Sequence, residues 1–181
     1  NKIYLASRTA TLGHAIGTLY LTTKCFLDGP SWNIVNTDEQ TYFLGYSLGY
    51  FVYDLIYLNL FEFSWLYNGH HILSIASTGS MYFSGIGGYH GCVLLFLAEV
   101  TNPLHLFWDA FRQNKIKDWF EWITPYYGYV FITVRGLILP TVCLIHNYVW
   151  WHEPIDYRLK ILWTGLNIAL NGASYYWCYL I

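Results

Sequence analysis

The chain has 181 residues, 55% of them hydrophobic and 11% charged, with a formal net charge of −2. A soluble protein could bury many of these side chains, but it could not cover its surface with so few charges. With no run of Lys and Arg and no basic excess, nucleic acid is excluded as a partner.

Six apolar stretches follow in chain order, over residues 3–26, 42–61, 66–83, 89–107, 122–146 and 157–181. Most approach the ~20 residues that cross a hydrocarbon core. They are too long for barrel strands and lack the alternating pattern. The fold class is therefore all-α: a polytopic membrane helical bundle of about six transmembrane helices, forming one domain over residues 1–181. Pro103 is expected to bend the fourth helix and Pro140 to kink the fifth. Gly85, Gly87 and Gly88 break the apolar run between the third and fourth. The sequence opens at Asn1 without Met, so upstream residues are expected.

Polar segments separate the stretches. Asp28, Gly29, Pro30 and Ser31 with Asn36, Thr37, Asp38 and Glu39 form one, and Arg112, Lys115, Lys117 and Asp118 a second. Residues 150–156 form a third, with aromatics suited to a membrane interface. Lys2, Arg8, Arg112, Lys115 and Lys117 fall on the N-terminal side, against Lys24, Arg158 and Lys160 on the other. That asymmetry places the N-terminus in the cytosol or an equivalent compartment. Gly13 with Gly17, Gly45 with Gly49, and Gly87 with Gly91 have the spacing of close helix packing. Cys25, Cys92, Cys143 and Cys178 form no zinc spacing and read as small apolar residues.

Ionisable groups in mid-membrane are costly, about 2.5 to 3.5 kcal/mol for Asp, Lys or Arg, and persist where they pair or do work. Helix periodicity gathers Ser7, Thr11, His14 and Thr18 on one stripe, and Ser47, Tyr50, Asp54 and Tyr57 on another. His71, Ser74 and Thr78 form a third, with His70 beside them, and Asn167, Asn171, Ser174 and Cys178 a fourth. Such stripes point into a shared interior. Adjacent side chains differ by about 100 degrees around a helix. His70 and His71 therefore do not suit a zinc site, which prefers i and i+4, and no metal is expected. One imidazole can serve as a general base or acyl-accepting nucleophile, with Asp54 or Glu99 fixing its tautomer. The bland alternative is a pair of packing histidines bonded to tyrosines and carboxylates. Arg135 is the natural counter-charge for Glu99 or Asp54, as a structural ion pair or a substrate anchor. His146 shares its face by spacing, which suits an anionic headgroup.

At these residues the chain resembles the TLC-domain family, shared by translocating-chain-associated membrane proteins, longevity-assurance ceramide synthases and the neuronal ceroid lipofuscinosis membrane protein. Ser7-Arg8 followed by His14-Ala15 is similar to its opening helix. Gly49-Tyr50-Phe51-Val52-Tyr53-Asp54-Leu55 is similar to its second-helix motif, and His70-His71 to its paired histidines. Leu97-Ala98-Glu99-Val100-Thr101-Asn102-Pro103 resembles its Glu-x-Ser/Thr-x-Pro segment. Arg135 followed by Pro140, and Asn167 with Trp177, suit its last two helices.

The resemblance implies a six-helix bundle around an acyl-chain-sized cavity, usually in the endoplasmic reticulum. Ceramide synthases of the family move a fatty acyl group from acyl-coenzyme A to a sphingoid amine with the paired histidines. Where they carry His-Asp and Ser-Asp pairs after those histidines, this chain reads Ala98-Glu99-Val100-Thr101-Asn102-Pro103. It is closer to the small TLC-domain proteins linked to membrane lipid composition. His70, His71, Asp54 and Glu99 are the expected catalytic residues, and His14, Arg135, Asn167, Asn171 and Ser74 the expected substrate contacts. The expected partner is a membrane lipid or fatty acyl chain, with acyl-coenzyme A as co-substrate if the chain is an enzyme and no other cofactor. The competing class is an accessory subunit of a larger membrane complex, for example in the mitochondrial inner membrane, with the fold but no catalysis. A transporter ranks last, because no pair of interrupted helices recurs in matching halves.

Overall fold

The computed structural model describes residues 2–27 and 35–180, with side chains from Ser7 onward. Six helices follow in order: α1 Lys2–Leu27, α2 Asp38–Phe61, α3 Trp65–Ser84, α4 Gly88–Gln113, α5 Lys117–His152 and α6 Tyr157–Leu180. No β-strand occurs among the described residues; a single antiparallel bridge joins Val35 to Ile86. The polar stretch Asp28, Gly29, Pro30 and Ser31 lies outside the described residues.

Several residues expected in loops are helical. Asp38 and Glu39 form the first turn of α2, behind a capping box made by Thr37 and Gln40. Arg112 closes α4, and Lys117 and Asp118 open α5, which leaves a short turn at 114–116. Asp38, Glu39 and Asp118 near helix starts and Arg112 near a helix end oppose the macrodipole favourably, while Lys117, a cation at a helix start, pairs with Glu121 one turn on at 3.6 Å. Residues 150–152 likewise continue α5 to His152.

Between α3 and α4 the glycines make a tight corner. Gly85 and Gly87 take the left-handed region, at φ 68° and 80°. Asn36 braces this corner. Its Nδ2 donates to the Met81 carbonyl at 2.9 Å, and its Oδ1 accepts from the Gly88 amide at 2.6 Å.

The proline disturbances differ from each other. The helical pattern of α4 is interrupted at Val100 and Thr101, just before Pro103. In α5 the disturbance lies ahead of Pro140, as a π-helical stretch Ile132–Ile138. Pro140 has no N–H for the carbonyl one turn earlier, and its ring crowds that turn. The chain widens instead, and the Leu139 amide reaches back to the Val134 carbonyl.

The helices pack with α2 against α3 as an antiparallel hairpin, α1 against both α2 and α4, and α6 against α3 and α5. α4 and α5 are long and apolar enough to cross a membrane. The other four carry the polar stripes that dilute their hydropathy. Exposure is inverted relative to a soluble protein. Ile16, Ile56, Leu60, Ile72, Leu137 and Ile168 face outward, while His14, Asp54, His71, Glu99 and Arg135 are buried. An apolar skin around a polar interior is the arrangement a bilayer selects.

Candidate functional site

Because α2 and α3 run antiparallel, Asp54 meets His71 across the hairpin. His71 Nε2 is 2.8 Å from Asp54 Oδ2, and both side chains are 9% exposed. The other ring nitrogen, Nδ1, is 2.8 Å from the Tyr67 carbonyl one turn back. A carbonyl only accepts, so Nδ1 carries a hydrogen. Nε2 faces a carboxylate oxygen, so His71 is held at both ring nitrogens, by the Asp54 carboxylate and the Tyr67 carbonyl. Neither nitrogen of His71 is left to attack a carbonyl group.

His70 differs. Its ring stands 88° from that of His71, at 5.5 Å, as expected for neighbours on a helix. Trp177 of α6 meets it edge-on at 4.9 Å. His70 Nδ1 is buried and has no hydrogen-bond partner, and the same holds for Asp54 Oδ1. Ser74 donates back to the His70 carbonyl at 2.9 Å. This part of the interior therefore offers one fixed dyad beside one ring nitrogen and one carboxylate oxygen that no protein group occupies.

A second cluster joins α1, α2, α4 and α5. His14 stacks on Tyr50 at 3.8 Å, with the planes 7° apart. Its Nδ1 is 3.6 Å from Glu99 Oε2, and its Nε2 meets Thr18 Oγ1 at 3.2 Å and Ser47 Oγ at 3.4 Å. The counter-charge expected of Arg135 goes to Glu99 rather than Asp54, and it passes through Asn102. That amide donates to Glu99 Oε2 at 2.7 Å and accepts from Arg135 at 3.3 Å. Only a side chain with both a donor and an acceptor can bridge unlike charges in this way. Arg135 also donates to Thr101 Oγ1 at 3.2 Å and to the Ala98 carbonyl, which the break in α4 leaves available. Phe51 separates the two clusters, with its ring against His14 at 5.5 Å and His71 at 5.9 Å.

The remaining expected contacts lie elsewhere. Asn167 donates to Asn147 Oδ1 at 2.9 Å, and Asn171 donates to the Asn167 carbonyl at 2.7 Å. His146 does share the α4-facing side with Arg135. It meets His90 there, ring to ring at 4.4 Å, and not a charged group at the helix end. A cavity of about 290 Å³ opens between α1 and α2, lined by Leu21, Lys24, Cys25, Asp38, Glu39 and Tyr42. It sits at the end of α2 away from Asp54. Sequence reasoning did not single out Asn102, Phe51, the Tyr67 carbonyl or Asp109. Asn102 and Phe51 lie inside the very motifs that were read, but nothing local marks a bridging amide or a separating ring. Asp109 is buried between Arg8 at 3.8 Å and Arg112 at 2.8 Å. Among the described residues, no group of three or more His, Cys, Asp and Glu side chains is placed to hold a metal ion.

A family model for the TLC domain matches residues 4–181. No solved structure matches the chain. The match covers essentially the whole sequence, and the six-helix bundle with its buried polar interior agrees with it. The chain belongs to the TLC-domain family and is an integral membrane protein of lipid metabolism or handling.

Proposed function

We propose that this chain holds the acyl chain of a lipid with its reactive end at His70, His71 and Asp54, and that its chemistry is acyl transfer from acyl-coenzyme A. The observation that carries the reading is the unequal state of the paired histidines. His71 has both ring nitrogens engaged, whereas His70 keeps Nδ1 without a protein partner. His70 is then the nucleophile and the His71–Asp54 dyad the group that positions it.

In this scheme a lone pair of His70 attacks the thioester carbonyl and the carbon–sulfur bond breaks. The ring N–H proton leaves with the coenzyme A thiolate. An amine or hydroxyl acceptor next attacks the acyl-imidazole and the carbon–nitrogen bond breaks; the acceptor's hydrogen passes to Asp54 Oδ1 and on to the departing ring of His70, which restores both groups. Ser74, Asn167 and Arg135 are held by protein partners and shape the interior. His14 and Glu99 support Phe51, which walls the dyad. The endoplasmic reticulum membrane suits this chemistry, because acyl-coenzyme A acceptors are made there.

The test is native mass spectrometry of the purified protein, followed by denaturation. One retained lipid class, and an acyl adduct after exposure to acyl-coenzyme A that maps to His70 and vanishes in His70→Ala, are expected. A clean mass with no lipid and no adduct, with partner subunits still attached, would overturn the reading in favour of an accessory subunit.

A further inference from the structure

α1 and α4 run antiparallel, so Arg8 meets Asp109, His14 meets Glu99, and Cys25 meets Cys92. The two cysteines pack together with Phe43 in one buried cluster, and their thiols are hydrogen-bonded partners. Both are in the thiol form. Cys92 is fully enclosed, but Cys25 forms part of the wall of the 290 Å³ cavity, beside Lys24. Cys25 therefore borders the cavity, and Cys92 is packed behind it. That is the arrangement of an attacking and a resolving cysteine. The cavity lies at the C-terminal end of α1. By the distribution of basic residues, this end faces away from the cytosol, where disulfides form and persist.

We propose that Cys25 and Cys92 are a dithiol that closes to an intramembrane disulfide, taking a small disulfide such as oxidised glutathione as oxidant. Lys24 supplies positive charge where the attacking thiolate of Cys25 forms. The thiolate attacks one sulfur of the oxidant, and a glutathione thiolate departs with the proton that Cys25 gave up. Cys92 then loses its proton and attacks the Cys25 sulfur of the mixed disulfide, releasing the second glutathione. Two protein thiols are oxidised and one external disulfide is reduced to two thiols. The new bond ties α1 to α4, the helices that carry His14 and Glu99.

The experiment uses the full chain in lipid nanodiscs with oxidised glutathione, followed by acid quench, denaturation, N-ethylmaleimide and intact mass. Two of the four cysteines should escape alkylation, leaving a mass below that of the fully alkylated chain by two maleimide adducts and two hydrogens, and dithiothreitol should restore all four. Peptide mapping should join Cys25 to Cys92. In Cys92→Ser, a single glutathione adduct should remain on Cys25. Four alkylated cysteines after oxidation, or a bond that maps to another pair, would overturn the proposal. The wild-type map decides the matter even if the variant fails to fold. The outcome is independent of any acyl adduct on His70.

Discussion

His14 and Glu99 face each other across α1 and α4, with His14 Nδ1 3.6 Å from Glu99 Oε2. The contact lies midway along a seam that Arg8 and Asp109 close at one end. In a bilayer core there is no water to take over the hydrogen bonds of either group, so loss of one partner strands the other.

Glu99→Gln should therefore destabilise the bundle by about 2 kcal/mol, since it weakens both the ion contact to His14 and the bond that the carboxylate accepts from Asn102 at 2.7 Å. The loss should be strongly non-additive with His14→Ala. SDS-induced unfolding in mixed micelles measures both. Additive losses would mean that the two side chains do not interact.

The paired histidines should separate by stability. His71→Ala leaves the buried Asp54 carboxylate without its partner and should cost about 3 kcal/mol. His70→Ala removes a ring whose contacts are edge-on to Trp177 and His71, and should cost about 1 kcal/mol. Thermal unfolding in detergent reads the difference. Equal losses would contradict the unequal bonding of the two rings.

Arg135 is held by a fork of donors reaching Thr101, Asn102 and the Ala98 carbonyl. Arg135→Lys keeps the charge but cannot span these acceptors. It should cost about 2 kcal/mol and raise hydrogen exchange at the break in α4. If α4 exchanges as in the wild type, the guanidinium does not hold that break.

The glycine pairs differ in what surrounds them. A Cβ at Gly91 would come within 2.9 Å of Leu44 Cδ2 and 3.0 Å of Met81 Sδ, whereas a Cβ at Gly49 meets nothing within 4 Å. Gly91→Ala should destabilise by about 1 to 2 kcal/mol through overpacking. Gly49→Ala should be neutral or slightly stabilising, because alanine restricts the unfolded chain. Unfolding midpoints for the two variants give the comparison. The spacing rule identified both positions, but only the packing separates them.

The contrast shows what was legible in the sequence. Helix identity and the buried stripes are local periodicities, so six spans and the burial of His14, Asp54, His71, Glu99 and Asn167 could be read directly. The pairing of Asp54 with His71 was within reach, since consecutive antiparallel helices bring the end of one beside the start of the next. Choice among equivalent partners was not. Arg135 had two carboxylates open to it, and the bridging amide of Asn102 resolves that choice. The expected convergence of all the polar groups on one point divides into adjoining clusters, because Phe51 stands between His14 and His71 and its separating role has no sequence signature. The helix ends ran past their expected limits at residues 107, 122 and 146, because charged and aromatic residues extend helices beyond the apolar stretch that defined them.

The π-helical stretch Ile132–Ile138 also sets where the second half of α5 points. A π turn holds one residue more than an α turn, so residues beyond it are rotated from where an unbroken α-helix would carry them, by up to the roughly 100 degrees that one residue spans. Arg135 lies within the stretch, against Ala98, Thr101 and Asn102 of α4, and His146 and Trp150 lie beyond it, against His90 of the same helix. The widened turn is thus the swivel that aims both halves of α5 at one neighbour.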